Sequence, residues 1–107
     1  METYRLKLPI VQNNNYIIYL EYFSDLYWLH TDVFNWTSKV KKDYLDKLNK
    51  LQLLLNDDLF GLVDNDKLGK FGNTIGFKYL RDVTGSDNNQ YKVYTRRLEW
   101  VKQSGLC

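Results

Sequence analysis

The sequence predicts an α+β domain with a mixed sheet and two helices, in the order β-β-β-α-β-α-β-β. Three observations lead to this prediction. Near the N-terminus, the first of three successive segments alternates apolar and polar residues and the second is rich in aromatic and β-branched residues, and both patterns are typical of strands. A long central segment repeats its apolar residues every three or four positions, as an amphipathic helix does. A short apolar run, a second helical pattern and two strand-like segments follow it.

The first three strands are predicted to form an antiparallel meander. The first is the alternating segment Thr3–Leu8, and we expect Pro9 to end it because proline donates no backbone hydrogen bond. A turn rich in asparagine, residues 12–15, leads to the second strand, Tyr16–Phe23. A two-residue connection then leads to the third strand, Leu26–Val33.

The longest helix follows this meander and is predicted from one apolar stripe: Trp36, Val40, Tyr44, Leu48, Leu51 and Leu55. Asn35 or Thr37 is the expected N-cap, because either side chain can accept a free backbone N–H group of the first turn. Residues 56–58 are expected to end the helix. The apolar run Leu59–Val63 then predicts a strand that is buried on both faces.

The second helix is short and leads directly into the last hairpin. Its apolar face consists of Leu68, Phe71 and Ile75. Gly76 lies where a helix end needs a residue that accepts a positive φ angle. The hairpin is predicted to pair Phe77–Val83 with Tyr91–Arg97 across the polar turn 85–89.

Length and composition predict one domain, residues 1–97, followed by a C-terminal tail, residues 98–107. The one cysteine, Cys107, excludes an intramolecular disulfide framework and a cysteine-rich metal site. No apolar run approaches the roughly 20 residues of a membrane-spanning helix, and no signal-peptide pattern is present, so a soluble cytoplasmic protein is expected. A net charge of +2, with the helix lysines interrupted by aspartates, does not predict nucleic-acid binding.

The helix that ends at Gly76-Phe77 and opens the last hairpin resembles the C-terminal quarter of the GNAT superfamily of N-acetyltransferases. The predicted element order is similar to that of a GNAT domain from its second strand to its last, over nearly the whole chain. The strand and two helices that usually begin the family are missing. This shortened arrangement, with Trp28–Val33 before Trp36 and a lysine-bearing helix, is similar to small GNAT-like proteins of bacteriophages, some of them associated with virions.

The resemblance implies acetyl-CoA as the cofactor of an active member. In the family a Gln/Arg-x-x-Gly-x-Gly/Ala turn presents backbone N–H groups to the coenzyme A pyrophosphate. The corresponding segment here, residues 33–39, contains no glycine. If coenzyme A binds, the candidate residues are Asn35, Thr37, Ser38 and Lys39. A helix cap followed by a solvated lysine is the simpler interpretation. Trp36 is expected to fill or narrow the coenzyme channel, which lies where the third and fourth strands should splay apart.

No catalytic residue and no metal site is predicted. Glu21 and Asp32 are the carboxylates that could serve as a general base, but a strand carboxylate is more simply a solvated side chain. His30 is the one histidine, and we expect an ordinary hydrogen-bonded strand histidine there, since a metal site needs further ligands. The resemblance places the family's proton-donating tyrosine at about Phe71, which has no hydroxyl group.

Three hypotheses of function follow. The first is a degenerate GNAT-like domain without a cofactor that binds phage or host proteins through the aromatic surface of the meander, as a structural or accessory component of a bacteriophage. The second is an active acetyl-CoA-dependent N-acetyltransferase. The third is a small regulator or inhibitor that binds a host protein. The first hypothesis places the protein in the host cytoplasm, with the virion as a further location, and neither nucleic acid nor membrane insertion is expected.

Overall fold

The computed structural model describes residues 7–103, which contain six strands and three helices. The strands are β1 (Leu8–Gln12), β2 (Tyr16–Phe23), β3 (Leu26–Val33), β4 (Leu59–Val63), β5 (Lys78–Thr84) and β6 (Gln90–Arg96). The helices are α1 (Ser38–Leu55), α2 (Asp66–Thr74) and α3 (Leu98–Gln103). The predicted α+β class is therefore confirmed.

The six strands form one mixed sheet in the order β1-β2-β3-β4-β6-β5. All neighbouring strands are antiparallel except β3 and β4, which are parallel. These two pair only where Tyr27 lies opposite Leu59 and Trp28 lies opposite Phe60. Beyond that point they separate, although β3 stays paired with β2 and β4 stays paired with β6 along their whole lengths. The sheet therefore opens at its centre.

The first strand differs from its prediction. It begins at Leu8 and continues through Pro9 to Gln12, so the expectation that Pro9 ends the strand is wrong. The reason is that β1 is an edge strand, which needs hydrogen bonds on one side only, and its register shifts between Pro9 and Val11. Residues 3–6 of the predicted strand lie outside the described residues.

The long helix begins and ends through specific side-chain and backbone contacts. Thr37, rather than Asn35, is its N-cap: the Thr37 hydroxyl accepts the N–H of Val40 at 3.1 Å. At the other end, Asn56 adopts a left-handed conformation with φ of 56° and donates its N–H to Gln52. The predicted stripe is confirmed: Val40, Tyr44 and Leu48 are buried, and Trp36, Leu51 and Leu55 pack partly buried against the core.

Two shorter helices complete the helical layer. In α2 the Asn65 side chain accepts the N–H of Leu68 at 2.8 Å, and Gly76 has the expected positive φ of 94° beyond the helix end. The third helix, α3, lies where the sequence predicted only a tail. Its first N–H, from Leu98, is donated to the Asp58 carboxylate at 2.7 Å. At six residues, α3 is too short to show a helical period in the sequence.

The helices that the structure describes lie on one face of the sheet. The rings of Tyr44 in α1 and Phe71 in α2 meet at 6.1 Å between centroids, and α3 packs against α1. The buried core lies between this layer and the sheet and comprises Tyr16, Ile18, Leu29, Val40, Tyr44, Leu48, Leu59, Ile75 and Phe77. Within residues 7–103, no helix has the length and apolar character needed to cross a bilayer.

Candidate functional site

A gap opens where β3 and β4 separate, at the place that the sequence predicted. It encloses a cavity of about 230 Å³. Apolar side chains of β4, α2 and the segment after α2 line one part of it: Leu62, Leu68, Phe71, Ile75 and Phe77. Lys7, His30 and Asp32 line the polar part. Because the parallel pairing stops at Phe60, each strand turns an edge without a sheet partner toward this gap.

A carboxylate and an imidazole meet at the polar part of the gap. His30 Nε2 lies 2.8 Å from Glu21 Oε1, with Glu21 only 2% exposed. The expectation that Glu21 is a solvated strand carboxylate is therefore wrong. His30 is hydrogen-bonded, as expected, while the exposed Asp32 accepts a hydrogen bond from the Tyr19 hydroxyl at 2.9 Å. The hydrogen bond to Glu21 fixes the orientation of the His30 ring, and His30 itself lines the gap.

The four candidate coenzyme residues do not converge on one point. The N–H of Asn35 and its side-chain amide are donated to Asn15, at 3.1 and 3.2 Å respectively. The Thr37 hydroxyl accepts the N–H of Val40, so it is engaged as the helix cap. Ser38 and Lys39 are exposed on the first turn of α1. Of these four, only Asn35 lines the open cavity of about 610 Å³ that adjoins the gap.

Trp36 is half-buried beside this outer cavity. Its ring makes edge contacts with Phe71, at 5.1 Å between centroids, and with Tyr44, at 5.5 Å. Trp36 therefore joins the start of α1 to α2. The Tyr44 hydroxyl lies 2.7 Å from the Thr31 hydroxyl, and burial raises the pKa of Tyr44 to about 12. Tyr44 is accordingly neutral at physiological pH.

The face of the sheet that points away from the helices carries aromatic and aliphatic side chains. Strand alternation and register place Tyr19, Trp28, Phe60 and Leu62 together on this side, which we call the open face. Each of the four is half-buried, and the rings of Trp28 and Phe60 lie 5.8 Å apart. Val93 and Thr95 share this side and are already buried.

Cations lie near the border of the open face. Lys7 Nζ lies 5.5 Å from the centre of the Tyr19 ring. Arg81 of β5 pairs with Val93 and so points to the same side of the sheet. Lys78 starts on this side opposite Thr95, but its Nζ lies 5.2 Å from the centre of the Trp100 ring of α3.

Glu21 and His30 also lie on this side of the sheet, because Glu21 pairs with Trp28 and His30 pairs with Tyr19. The open face therefore combines aromatic side chains with this hydrogen-bonded pair and with cations near its border.

Sequence reasoning did not identify several residues that line the gap. Tyr94 of β6 contributes to its wall, as do Gly61 of β4 and Gly72 of α2. A glycine inside an otherwise apolar strand is a signal of close approach by another group, and this signal was present at Gly61. Tyr94 gave no comparable signal, because it is one of many aromatic residues at strand positions.

Metal binding and similarity to known proteins complete the description of the site. Among residues 7–103, no three His, Cys, Asp or Glu side chains are grouped so that they could hold a metal ion. Comparison of the chain with protein-family models, with curated protein sequences and with solved structures finds no significant match.

Proposed function

We propose that this chain is a GNAT-like domain that binds another protein through the open face and does not transfer acetyl groups. The observation that carries this proposal is the asymmetry of the sheet. Its described helices cover one face, while the other presents Trp28, Phe60, Tyr19 and Leu62. A sheet face in water is normally mostly polar, so four aromatic or aliphatic side chains grouped beside the Glu21–His30 pair favour a protein partner.

The chemistry of the open face defines the partner that would fit. Aromatic side chains at the centre of an interface supply rigid contact area and much of the binding free energy. Lys7 and Arg81 can attract carboxylates of a partner, and the exposed Asp32 on the same side can attract a cation, so a partner with both signs of charge around an apolar patch would fit. In line with the resemblance to small phage proteins, we propose a structural or accessory role in a bacteriophage, where the partner is a phage or host protein.

The start of α1 supports protein binding over acetyl transfer. The segment before α1 has no glycine, and the Thr37 hydroxyl accepts one of the N–H groups that an anion would otherwise use. The ring of Trp36 packs between Tyr44 and Phe71 beside the expected coenzyme channel. Phe71 also stands where the resemblance places a proton-donating tyrosine.

An acetyl-CoA-dependent N-acetyltransferase is the second candidate function. The observation that favours it is the gap between β3 and β4, together with the Glu21–His30 pair at its polar part. In this candidate His30 would accept a proton from an amine, because Glu21 fixes the orientation of its ring. A small regulator that binds a host protein is a variant of the first candidate, and it differs only in the partner.

The test combines capture of partners with coenzyme binding. Immobilised wild-type protein, a Trp28→Arg variant and a Tyr79→Arg variant are exposed to extract of the cells that produce the protein. We expect that the wild type and Tyr79→Arg retain a partner protein from the extract and that Trp28→Arg does not retain it. Circular dichroism checks that all three proteins are folded. Tyr79 is a suitable control because it is exposed on β5 and pairs with Tyr94, on the helical side.

Coenzyme binding is measured in parallel by thermal unfolding with acetyl-CoA. We expect no shift in the melting temperature. A coenzyme present at about 100 times its dissociation constant would stabilise the fold by about 2.7 kcal/mol. A shift of that size, together with equal retention of partners by Trp28→Arg, would contradict the proposal and favour the acetyltransferase.

A further inference from the structure

Two glycines from different elements line the gap. Gly61 lies in the middle of β4, and Gly72 lies in α2. Glycine in a strand or a helix destabilises the element, because the unfolded chain loses more conformational freedom there. Two such positions in one cavity wall therefore call for a physical reason.

Neither the backbone angles nor the described neighbours of the two glycines exclude a Cβ atom there. A Cβ atom on Gly61 would meet Phe77 Cε2 at 3.9 Å, and one on Gly72 would meet Phe77 Cβ and Tyr94 Cδ2 at 3.6 Å. These are ordinary contact distances, and neither glycine has a positive φ angle. Two other glycines differ: a Cβ on Gly69 would lie 2.9 Å from the Tyr94 hydroxyl oxygen, and Gly76 has a φ of 94°. Among the described residues, Gly61 and Gly72 thus each leave room for a Cβ atom in contact with Phe77, and both line the gap.

The backbone beside this room has open hydrogen-bonding edges. Leu29–Val33 of β3 and Gly61–Val63 of β4 extend beyond the last residue pair that joins the two strands. In each strand, every second residue turns its N–H and C=O toward the gap. An extended chain is the ligand that such edges recognise, because its own N–H and C=O groups repeat at the same spacing.

The size of the cavity limits what enters between the glycines. Its volume of about 230 Å³ exceeds the ~150 Å³ of a cavity that holds benzene. It lies below the ~300 Å³ at which small-molecule sites begin. One large apolar side chain fits these limits, and Leu62, Leu68 and Phe71 provide apolar walls for it.

We propose that the gap between β3 and β4 binds an extended peptide segment. The segment hydrogen-bonds to the open strand edges and inserts one aromatic or aliphatic side chain between Gly61 and Gly72. This site adjoins the open face, because Leu62 and Lys7 line the gap as well, but the proposal does not rest on docking there. Gly61 and Gly72 are the residues that keep the site open, and the absence of their side chains determines its width.

The test is a titration of the ¹⁵N-labelled protein with the synthetic peptide Ac-Thr-Val-Phe-Val-Thr-amide, followed by NMR. We expect saturable shifts of the backbone amides in residues 29–33 and 61–63. The same peptide with N-methylated valines cannot donate those hydrogen bonds and should bind at least ten-fold more weakly. This comparison uses the unmodified protein, so it does not depend on the folding of a variant.

Three variants complete the test. Gly61→Leu places a side chain in the gap and should weaken peptide binding at least ten-fold. Gly61→Ala should fold like the wild type, because its Cβ has room, and should weaken binding less. Trp28→Arg should leave peptide binding unchanged, so that loss of docking on the open face and loss of binding in the gap are measured separately.

The proposal is overturned by any of three results: no saturable shift at millimolar peptide, equal binding of the N-methylated peptide, or shifts at these amides produced by acetyl-CoA but not by the peptide. A folded Gly61→Leu variant that binds the peptide as tightly as the wild type would also overturn the role of the glycines.

Discussion

The guanidinium of Arg96 donates a hydrogen bond to the side-chain oxygen of Gln52 at 2.8 Å, inside the core between β6 and α1. Arg96 also donates to Asn49 Oδ1 and, at 2.9 Å, to the carbonyl of Ile75. Within residues 7–103, no carboxylate forms an ion pair with it. Burial lowers the pKa of Arg96 to about 10, so the side chain is still charged at neutral pH. A buried cation held by neutral acceptors therefore joins α1, the end of α2 and the sheet.

We expect Arg96→Met to destabilise the fold by about 2–4 kcal/mol, because three buried acceptors lose their donor while the desolvation cost of the charge is relieved. Urea denaturation measures this loss. Arg81→Met is the control, because Arg81 is exposed on β5 and the substitution should change stability by less than about 0.5 kcal/mol. A loss below about 1 kcal/mol for Arg96→Met would show that the hydrogen bonds only compensate for burying the charge.

The hydrogen-bond network around Arg96 could not be predicted from the sequence. The period of apolar residues identified Tyr44 and Leu48 as buried, because burial of one helical face follows directly from that period. Asn49 and Gln52 are polar and do not belong to that apolar stripe, so the period does not predict their burial. Their burial depends on Arg96, which is 44 residues away from Gln52 in the chain. A polar residue becomes a core residue only when a distant partner satisfies it, and local patterns contain no information about that partner.

The buried face of α1 can be tested with two leucines of the same helix. Leu48 is fully buried, whereas Leu54 is 84% exposed. We expect Leu48→Ala to reduce the free energy of unfolding by about 2–5 kcal/mol, because it removes buried apolar atoms and leaves a cavity. Leu54→Ala should change it by less than about 0.5 kcal/mol, as is typical of surface sites. Equal effects in urea denaturation would mean that the helical face is assigned wrongly.

The contact between Tyr16 and Asp43 predicts that the stability of the fold depends on pH in the acid range. The Tyr16 hydroxyl donates to Asp43 Oδ2 at 2.6 Å, which links β2 to α1. Hydrogen bonds from Lys47 and then from Tyr16 lower the pKa of Asp43 below its usual value of 3.8. A lowered carboxyl pKa stabilises the folded state above the unfolded-state pKa, and this contribution is lost as pH falls through the folded-state pKa.

Urea midpoints at a series of pH values check this dependence. The wild type should lose stability as pH falls below 3.8, the usual pKa of this carboxyl group, and Asp43→Asn should lose less over the same range. Asp46→Asn is the matched control, because Asp46 contacts the exposed Lys50 at 3.0 Å through the same i,i+4 spacing. If Asp43→Asn and the wild type show the same acid slope, the Tyr16 contact does not contribute to it.

The candidate site was predicted in part. The splay between β3 and β4 was expected from the resemblance to GNAT domains, and the pairing of these two strands does stop at Trp28 and Phe60. The environment of Glu21 could not be predicted, since its burial depends on packing across β2 and β3 and on contacts with residues such as His30. Strand alternation showed which side Glu21 occupies but not what covers it.

The last prediction concerns Trp36 and the coenzyme channel. Trp36→Gly removes the ring contacts with Phe71 and Tyr44 and places glycine just before the helix cap. We expect Trp36→Gly to reduce the free energy of unfolding by about 2–4 kcal/mol. This is somewhat less than for a fully buried aromatic residue, because Trp36 is half-buried. We also expect no acetyl transfer, because a wider channel supplies neither a pyrophosphate turn nor a proton donor at Phe71. Urea denaturation measures the change in stability. Release of the coenzyme A thiol from acetyl-CoA, in the presence of an amine acceptor, measures acetyl transfer. Trp36→Phe is the control because it keeps an aromatic ring. A stable Trp36→Gly variant that releases coenzyme A thiol would identify Trp36 as an obstruction in a working acetyltransferase and would overturn the proposed function.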